Sequence, residues 1–218
     1  MRTVLKNIIS RSYKPILERY LSRTRIYEQD GLRLKIPPEV FHPAFFTSTQ
    51  FLLDKIIALP LKGKKFLELG AGSGLISMIA AKKGATVMAT ELNKIAVEYL
   101  AINCSANALG IEIRHSDLFQ NIPEQQFDII AINPPYYKKD PLSEKELAWY
   151  CGATGEYFFR LFKSLPSYCK AGTIVLMTLC DGCDLDMINC AAQSGGMKLQ
   201  LLDEKQTLIE KNYIYTIS

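Results

Sequence analysis

Residues Asn133-Pro134-Pro135-Tyr136 follow FDIIAI, a run whose β-branched and aromatic content marks a buried strand. Two successive prolines remove two backbone N–H donors and restrict φ, so the turn presents carbonyls in a fixed direction. Such a turn mostly accepts hydrogen bonds, and the chemistry it suits is the holding of a donor group. Three other strand ends carry chemistry of their own. In Glu68-Leu69-Gly70-Ala71-Gly72-Ser73-Gly74, glycines at alternating positions let the backbone turn with positive φ and approach a ligand where a Cβ would collide. Glu91 ends the next strand and can accept both hydroxyls of a ribose, a place where dinucleotide enzymes also put an acid. The third end is Ser116-Asp117-Leu118-Phe119, where Asp117 can accept from an adenine amine and a neighbouring apolar side chain can cover the ring. A dinucleotide fingerprint would need its third glycine at position 75, which is Leu75. Together the three ends suit an adenosine that bears no phosphate.

The elements that must carry these ends are legible in the alternation of patterns. From Lys65 onward strands and helices alternate: KKFLEL, a helix from about Leu75, ATVMATE, a helix from about Lys94, IEIRHSD, FDIIAI, a helix from about Glu156, and TIVLMTLC. This predicts an α/β fold, a doubly wound and mostly parallel sheet whose ligands bind beyond the carboxyl ends of the strands. The tail KLQLLDEKQTLIEKNYIYTIS reads as a hairpin that adds an antiparallel strand, for seven strands in all. Ahead of the sheet, TRIYEQDGLRLKI reads as a hairpin turning at Asp30-Gly31. PPEVFHPAFF is a proline-containing loop, and Thr47, Ser48 or Thr49 is expected to cap the helix QFLLDKIIAL. Residues 1–45 form an amino-terminal extension in this reading, and 46–218 the main domain.

At 218 residues, 48% hydrophobic and 22% charged, the chain fits an α/β domain able to bury its own core. No stretch approaches the ~18 uninterrupted apolar residues of a membrane helix, so a soluble protein without membrane partners is expected. Cysteines 104, 151, 169, 180, 183 and 190 lack the spacing of a secreted disulfide scaffold and no signal peptide precedes them, which reads as reduced thiols in the cytoplasm. Cys180 and Cys183 form a lone CxxC with no second pair and no nearby histidine, so no metal site is expected. His42 and His115 read as loop and strand residues without a catalytic role.

The net charge of +4 is unevenly spread. Residues 1–26 hold Arg2, Lys6, Arg11, Lys14, Arg19, Arg23 and Arg25 against Glu18, a balance of +6 that leaves −2 for the rest. Apolar residues there recur at three- and four-residue steps, which predicts an amphipathic helix. Its basic face is a solvated cover, a contact for RNA phosphates or an acidic partner, or a cleaved organellar presequence.

ELGAGSG, Glu91, SDLF and NPPY, in this order and spacing, resemble motifs I to IV of class I S-adenosylmethionine-dependent methyltransferases with a Rossmann-like sheet. VFHPAFFTSTQFLLDKI, the asparagines of AINCSANALG, and WYCGATGEYFFRLF are similar to segments of the HemK-type family, which includes release-factor glutamine methyltransferases. The resemblance runs from about Val40 to Ser218. It implies S-adenosylmethionine as cofactor, with Gly70, Gly72 and Gly74 passing under the methionine part and Glu68 near the methionine amino group. Glu91 would hold the ribose, Asp117 and Leu118 the adenine. Asn133, Pro134, Pro135 and Tyr136 would be the catalytic tetrapeptide. The chain departs from the family in having Phe45, Phe46 and Thr47 where small relatives carry an acid, and in an amino-terminal extension shorter than the helical domain of the bacterial enzymes.

The resemblance gives the acceptor turn a task. An amide or aminopurine nitrogen is a poor nucleophile because its lone pair is delocalised. The Asn133 side-chain oxygen and the Pro134 carbonyl can take its two hydrogens and aim the remaining face of nitrogen at a methyl group. Tyr136 can stack on the planar substrate. No strong base is needed before attack, since nitrogen becomes acidic as the bond forms, and catalysis is mostly alignment and charge placement. The expected activity is N-methyl transfer to a macromolecule, either a protein glutamine or the exocyclic amine of an RNA base. Lys138, Lys139 and the segment to Trp149 would form a substrate lip. Two rivals are a catalytically silent cofactor-binding subunit and a nicotinamide-dependent oxidoreductase, the latter leaving Leu75 and NPPY unexplained.

Overall fold

The computed structural model describes residues 19–45, 47–207 and 210–218. Seven strands form one sheet in the order β5-β4-β3-β6-β7-β9-β8. They are β3 (Lys65–Leu69), β4 (Thr86–Glu91), β5 (Ile111–His115), β6 (Phe127–Ile132), β7 (Cys169–Cys180), β8 (Leu199–Gln206) and β9 (Lys211–Ile217). β9 runs antiparallel to both its neighbours, as the tail pattern requires. β7 starts earlier than the apolar run suggests, because an irregularity between Phe127 and Ile129 lets Cys169 pair with Phe127.

The helices are α1 (Thr47–Ile57), α2 (Leu75–Lys82), α3 (Lys94–Ala106), α4 (Glu156–Ser164) and α5 (Leu185–Ser194). The apolar core lies on both faces of the sheet. Phe66, Leu52, Ile56, Ile79 and Leu100 belong to one cluster, while Leu67, Leu69, Phe158, Phe162 and Ile188 belong to the other. Alternate residues of β3 therefore serve opposite clusters, which is why its sequence is a nearly unbroken apolar run.

The chain winds from β3 out to β5, then returns to β6 on the other side of β3. That reversal is the topological switch point at which an open parallel sheet leaves a crevice. Leu69 and Ile132 are Cα partners across β3 and β6, so the glycine-rich loop and Asn133 leave the sheet side by side.

The amino-terminal hairpin pairs β1 (Arg25–Gln29) with β2 (Leu32–Ile36), and Asp30 and Gly31 turn with φ of 50° and 71°. Two asparagines four residues apart, Asn103 on α3 and Asn107 at its carboxyl-terminal cap, hold the free edge of β2. Asn103 accepts from the Lys35 N–H at 2.8 Å and donates to its carbonyl at 3.0 Å, and Asn107 does the same for Arg33, at 2.9 Å in each direction. The apolar residues expected to form an amphipathic helix run to Leu21, where the helix ends, and Arg25 and Ile26 belong to the first strand of the expected hairpin. The remainder of that expectation, residues 1–18, lies outside the described residues. Among the described residues, no helix is long and apolar enough to cross a membrane.

The expected cap of α1 is corrected. The helix already includes Thr47, so Thr47, Ser48 and Thr49 form its first turn. The Thr47 hydroxyl bonds to Asn212 Nδ2 at 2.9 Å and Glu210 Oε1 at 3.1 Å, and Thr49 Oγ1 faces Asn133. Bonds across to the sheet thus employ two hydroxyls that a local reading assigns to the helix end.

Gly74 precedes α2 with φ of 79°, and a Cβ there would sit 2.0 Å from Leu100 Cδ1. Gly74→Ala should cost roughly 2–4 kcal/mol from backbone strain and overpacking together. Urea denaturation measures it, and a loss under about 1 kcal/mol would contradict this contact.

Candidate functional site

A cavity of about 480 Å³ opens beyond the carboxyl ends of β3, β4, β5 and β6, the size range of small-molecule sites. Its floor is the turn after β3. Gly70 and Gly72 have φ of 71° and 52°, and the space where their Cβ atoms would stand is open. The turn is tied down by Ala71 N–H donating to the Thr90 carbonyl and Gly74 N–H to the Ala71 carbonyl, both at 2.8 Å. Gly74 stands apart from the other two: it does not line the cavity, and its missing side chain makes room for Leu100.

Glu91 anchors the loops around it. One carboxylate oxygen accepts from Gly72 N–H at 2.8 Å, the other from Leu92 at 2.7 Å and Asn93 at 2.9 Å. Burial raises its carboxyl above the ordinary value while these N–H groups pull it down. The oxygen that accepts from Gly72 keeps a lone pair for a ligand hydroxyl. Asp117 lines the same end of the cavity and pairs with Arg160 of α4 at 2.7 Å. Leu118 lies beside it, buried, with φ of 51°.

Glu68 sits beneath the loop, fully buried, and accepts from Ser77 N–H at 2.8 Å and from the Ser77 hydroxyl at 2.5 Å. Burial pushes its carboxyl up to about 8, the Ser77 donors oppose the rise, and nearby Glu91 adds to it. The unfolded chain loses this proton near the ordinary value of 4.5, and the folded protein keeps it to about pH 8. Stability should therefore fall as pH rises through that window, by at most about 1.4 kcal/mol per unit. Glu68→Gln should remove the slope. The variant's stability advantage should widen from pH 5 to pH 8.5 in urea denaturation, and a constant difference would contradict the buried proton.

At the β6 end, Pro134 and Pro135 are buried, and Asn133 and Tyr136 are half-buried at the cavity wall. Asn133 Oδ1 accepts from the Tyr136 hydroxyl at 2.7 Å, and its Nδ2 faces Thr49 Oγ1 at 3.4 Å. Burial raises the Tyr136 phenol well above its ordinary range, so it stays protonated and a donor. The following segment folds back as a lip: Tyr137 N–H donates to the Trp149 carbonyl at 2.8 Å, and Cys151 N–H to the Tyr137 carbonyl at 2.9 Å. Trp149 packs on Phe41 with ring centroids 5.3 Å apart. Lys138 and Lys139, read as lip cations, already have acidic neighbours, Asp184 at 3.0 Å and Glu146 at 3.7 Å.

Charge in the cavity is one-sided. Seven carboxyl groups line it, including Glu39, Asp140 and Glu144 and the protonated Glu68, and among the described residues Arg160 is the only cation doing so. The structure thus brings ten of the eleven sequence-predicted site residues to one cavity, all but Gly74. Sequence reading missed Thr49 and Arg160. Arg160 and Tyr157, three apart, both reach the cavity from α4, and that helical spacing in EYFFRLF was the available signal. Cys180 and Cys183 are free thiols with sulfurs 3.8 Å apart, and no cluster of metal-ligating side chains occurs among the described residues.

Comparison with known proteins identifies the family. The family model described as the methyltransferase small domain matches residues 31–150. The chain belongs to that family. This methyltransferase is 38% identical over 159 residues to a Methanocaldococcus jannaschii protein provisionally named protein N5-glutamine methyltransferase, covering 69% of this chain and 77% of the relative. It is 34% identical over 106 residues to the tRNA1(Val) (adenine(37)-N6)-methyltransferase of Flavobacteriaceae bacterium strain 3519-10, covering 47% of this chain and 46% of that one. Its fold matches the E. cuniculi Mtq2-Trm112 complex structure, described as responsible for methylating the termination factor eRF1, with a TM-score of 0.64 at 21% identity over 83% of this chain and 98% of that chain. Membership in a methyltransferase family sets aside the nicotinamide reading.

Proposed function

We propose that this methyltransferase uses S-adenosylmethionine to methylate the side-chain amide nitrogen of a protein glutamine. The observation that carries the reading is the side-by-side exit of Gly70 and Asn133 from paired strands into one acid-lined cavity. The residues present fit the cofactor. Glu91 can accept from ribose hydroxyls, Asp117 and Leu118 can hold an adenine, the open space over Gly70 and Gly72 admits the methionine part, and Glu68 lies where an amino group would be met. When bound, S-adenosylmethionine supplies a methyl group on a positively charged sulfur.

Asn133 Oδ1 and the Pro134 carbonyl accept the two amide hydrogens and fix the direction of the nitrogen lone pair. Pro135 keeps the turn from offering a competing N–H. Tyr136 restrains the amide plane by stacking. The excess of carboxyl groups favours a neutral amide in a peptide over an RNA base, whose flanking phosphates they would repel. Six free cysteines fit a reducing compartment such as the cytoplasm.

Incubation with methyl-labelled S-adenosylmethionine and, separately, ribosome-associated proteins and total RNA tests the reading. Label should enter protein at glutamine. Label confined to RNA would replace the amide with a base amine, and label in neither fraction would contradict macromolecular methyl transfer.

A further inference from the structure

Asn133 can help in aligning a substrate nitrogen only if its amide is turned one way. Rotated by half a turn, it would present N–H donors to a group that is itself a donor. The backbone of the turn does not choose between the two orientations, because both fill the same space. The neighbours of the amide do.

The Tyr136 hydroxyl lies 2.7 Å from Asn133 Oδ1, and Thr49 Oγ1 lies 3.4 Å from Asn133 Nδ2. Both neighbours are hydroxyls, and a hydroxyl can donate or accept. They differ in acidity, however. A phenol is the better donor and an aliphatic hydroxyl oxygen the better acceptor, so the pair works best with the amide oxygen toward Tyr136 and the nitrogen toward Thr49. The buried Ser48 and Thr178 hydroxyls lie close to the same phenol. Thr49 is itself buried, in the first turn of α1, and reaches the amide across 84 residues of sequence.

We propose that the Tyr136 and Thr49 hydroxyls are positioning groups that hold the Asn133 amide with its oxygen toward the acceptor nitrogen of the substrate. The proposal rests on the reading of Asn133 as a substrate ligand and assigns two further roles. Tyr136 contributes a hydroxyl distinct in function from its ring, and the first turn of α1 becomes part of the catalytic arrangement. The oxygen accepts from Tyr136 with one lone pair and keeps the other for the substrate. The nitrogen donates to Thr49 and is drawn away from the reacting group.

The test compares Tyr136→Phe, Thr49→Val and Thr49→Ser with the wild type, using labelled S-adenosylmethionine and ribosome-associated proteins as acceptor. Tyr136→Phe keeps the ring and should lower kcat about 10- to 100-fold, the usual effect of a small misalignment, with the KM for S-adenosylmethionine unchanged. Thr49→Val should do likewise, and Thr49→Ser should restore most of the rate. In an Asn133→Ala background, Tyr136→Phe should cause no additional loss, because the group it orients is gone. Thermal melting of each variant separates a lost rate from a lost fold. Wild-type kcat in both Tyr136→Phe and Thr49→Val, with Asn133→Ala impaired, would overturn the positioning roles and leave the site reading standing. A full Tyr136→Phe loss on top of Asn133→Ala would also overturn them, since the hydroxyl would then act elsewhere. Undiminished turnover in Asn133→Ala would remove the site reading and this inference with it.

Discussion

Asn133→Ala should lower turnover by about 10²- to 10³-fold, the usual effect of deleting one preorganised hydrogen-bonding partner in an active site. The substitution removes an acceptor at the wall of the cavity while leaving the strand end intact, since Pro134 and Pro135 are buried and hold the turn. Affinity for S-adenosylmethionine should hardly change. Glu91 and the glycine loop hang on hydrogen bonds to Gly72, Leu92, Asn93 and Thr90, and Asn133 takes no part in these. Calorimetric affinity measured beside single-turnover rates checks this separation. If affinity and rate fell together, Asn133 would be part of the cofactor's seat and not an aligning group.

Glu91→Ala should give the reverse pattern. Its carboxylate accepts three backbone N–H groups, so its loss leaves three donors without that partner and frees the loop after β3 from the loop after β4. Leaving the ribose hydroxyls of the bound cofactor without their acceptor costs about 1–3 kcal/mol, which weakens S-adenosylmethionine roughly 5- to 150-fold. The melting temperature should fall as well, because the same bonds hold the loops in the free protein. Rate at saturating cofactor should recover to a large extent, since the Asn133 end is untouched. Unchanged affinity by calorimetry would show that the ribose acceptor lies elsewhere.

The parts of the fold that the sequence reveals are those set by local pattern. β3 and β6 are buried on both faces, so they read as largely apolar runs broken only by Lys65, Glu68 and Asp128, and their ends are visible where Gly70 or Asn133 interrupts them. Asp30-Gly31 announces its hairpin because left-handed φ at successive residues suits that dipeptide. What stayed hidden depends on pairings between distant segments. Nothing near Thr49 in sequence shows that its hydroxyl faces Asn133 instead of capping α1, and nothing near Asp117 names Arg160 as its neighbour. Gly74 carries the spacing of a ligand-contacting glycine, yet Leu100 of α3 explains it. Its conformation was legible and its reason was not. The acidity of the cavity was equally invisible, because its carboxyl groups come from segments as separate as Glu39 and Glu156 and gather only when the sheet winds back at β6. A chain with net charge +4 gave no hint of it.

The most direct test is to incubate the wild-type protein and Asn133→Ala with S-adenosylmethionine carrying an isotopic methyl label and ribosome-associated proteins, then locate the label by peptide mass spectrometry. The label should appear on the side-chain amide of glutamine with the wild type and fall at least about 10²-fold with Asn133→Ala. Label on another kind of residue, or equal labelling by both proteins, would contradict methyl transfer to an amide nitrogen held at Asn133.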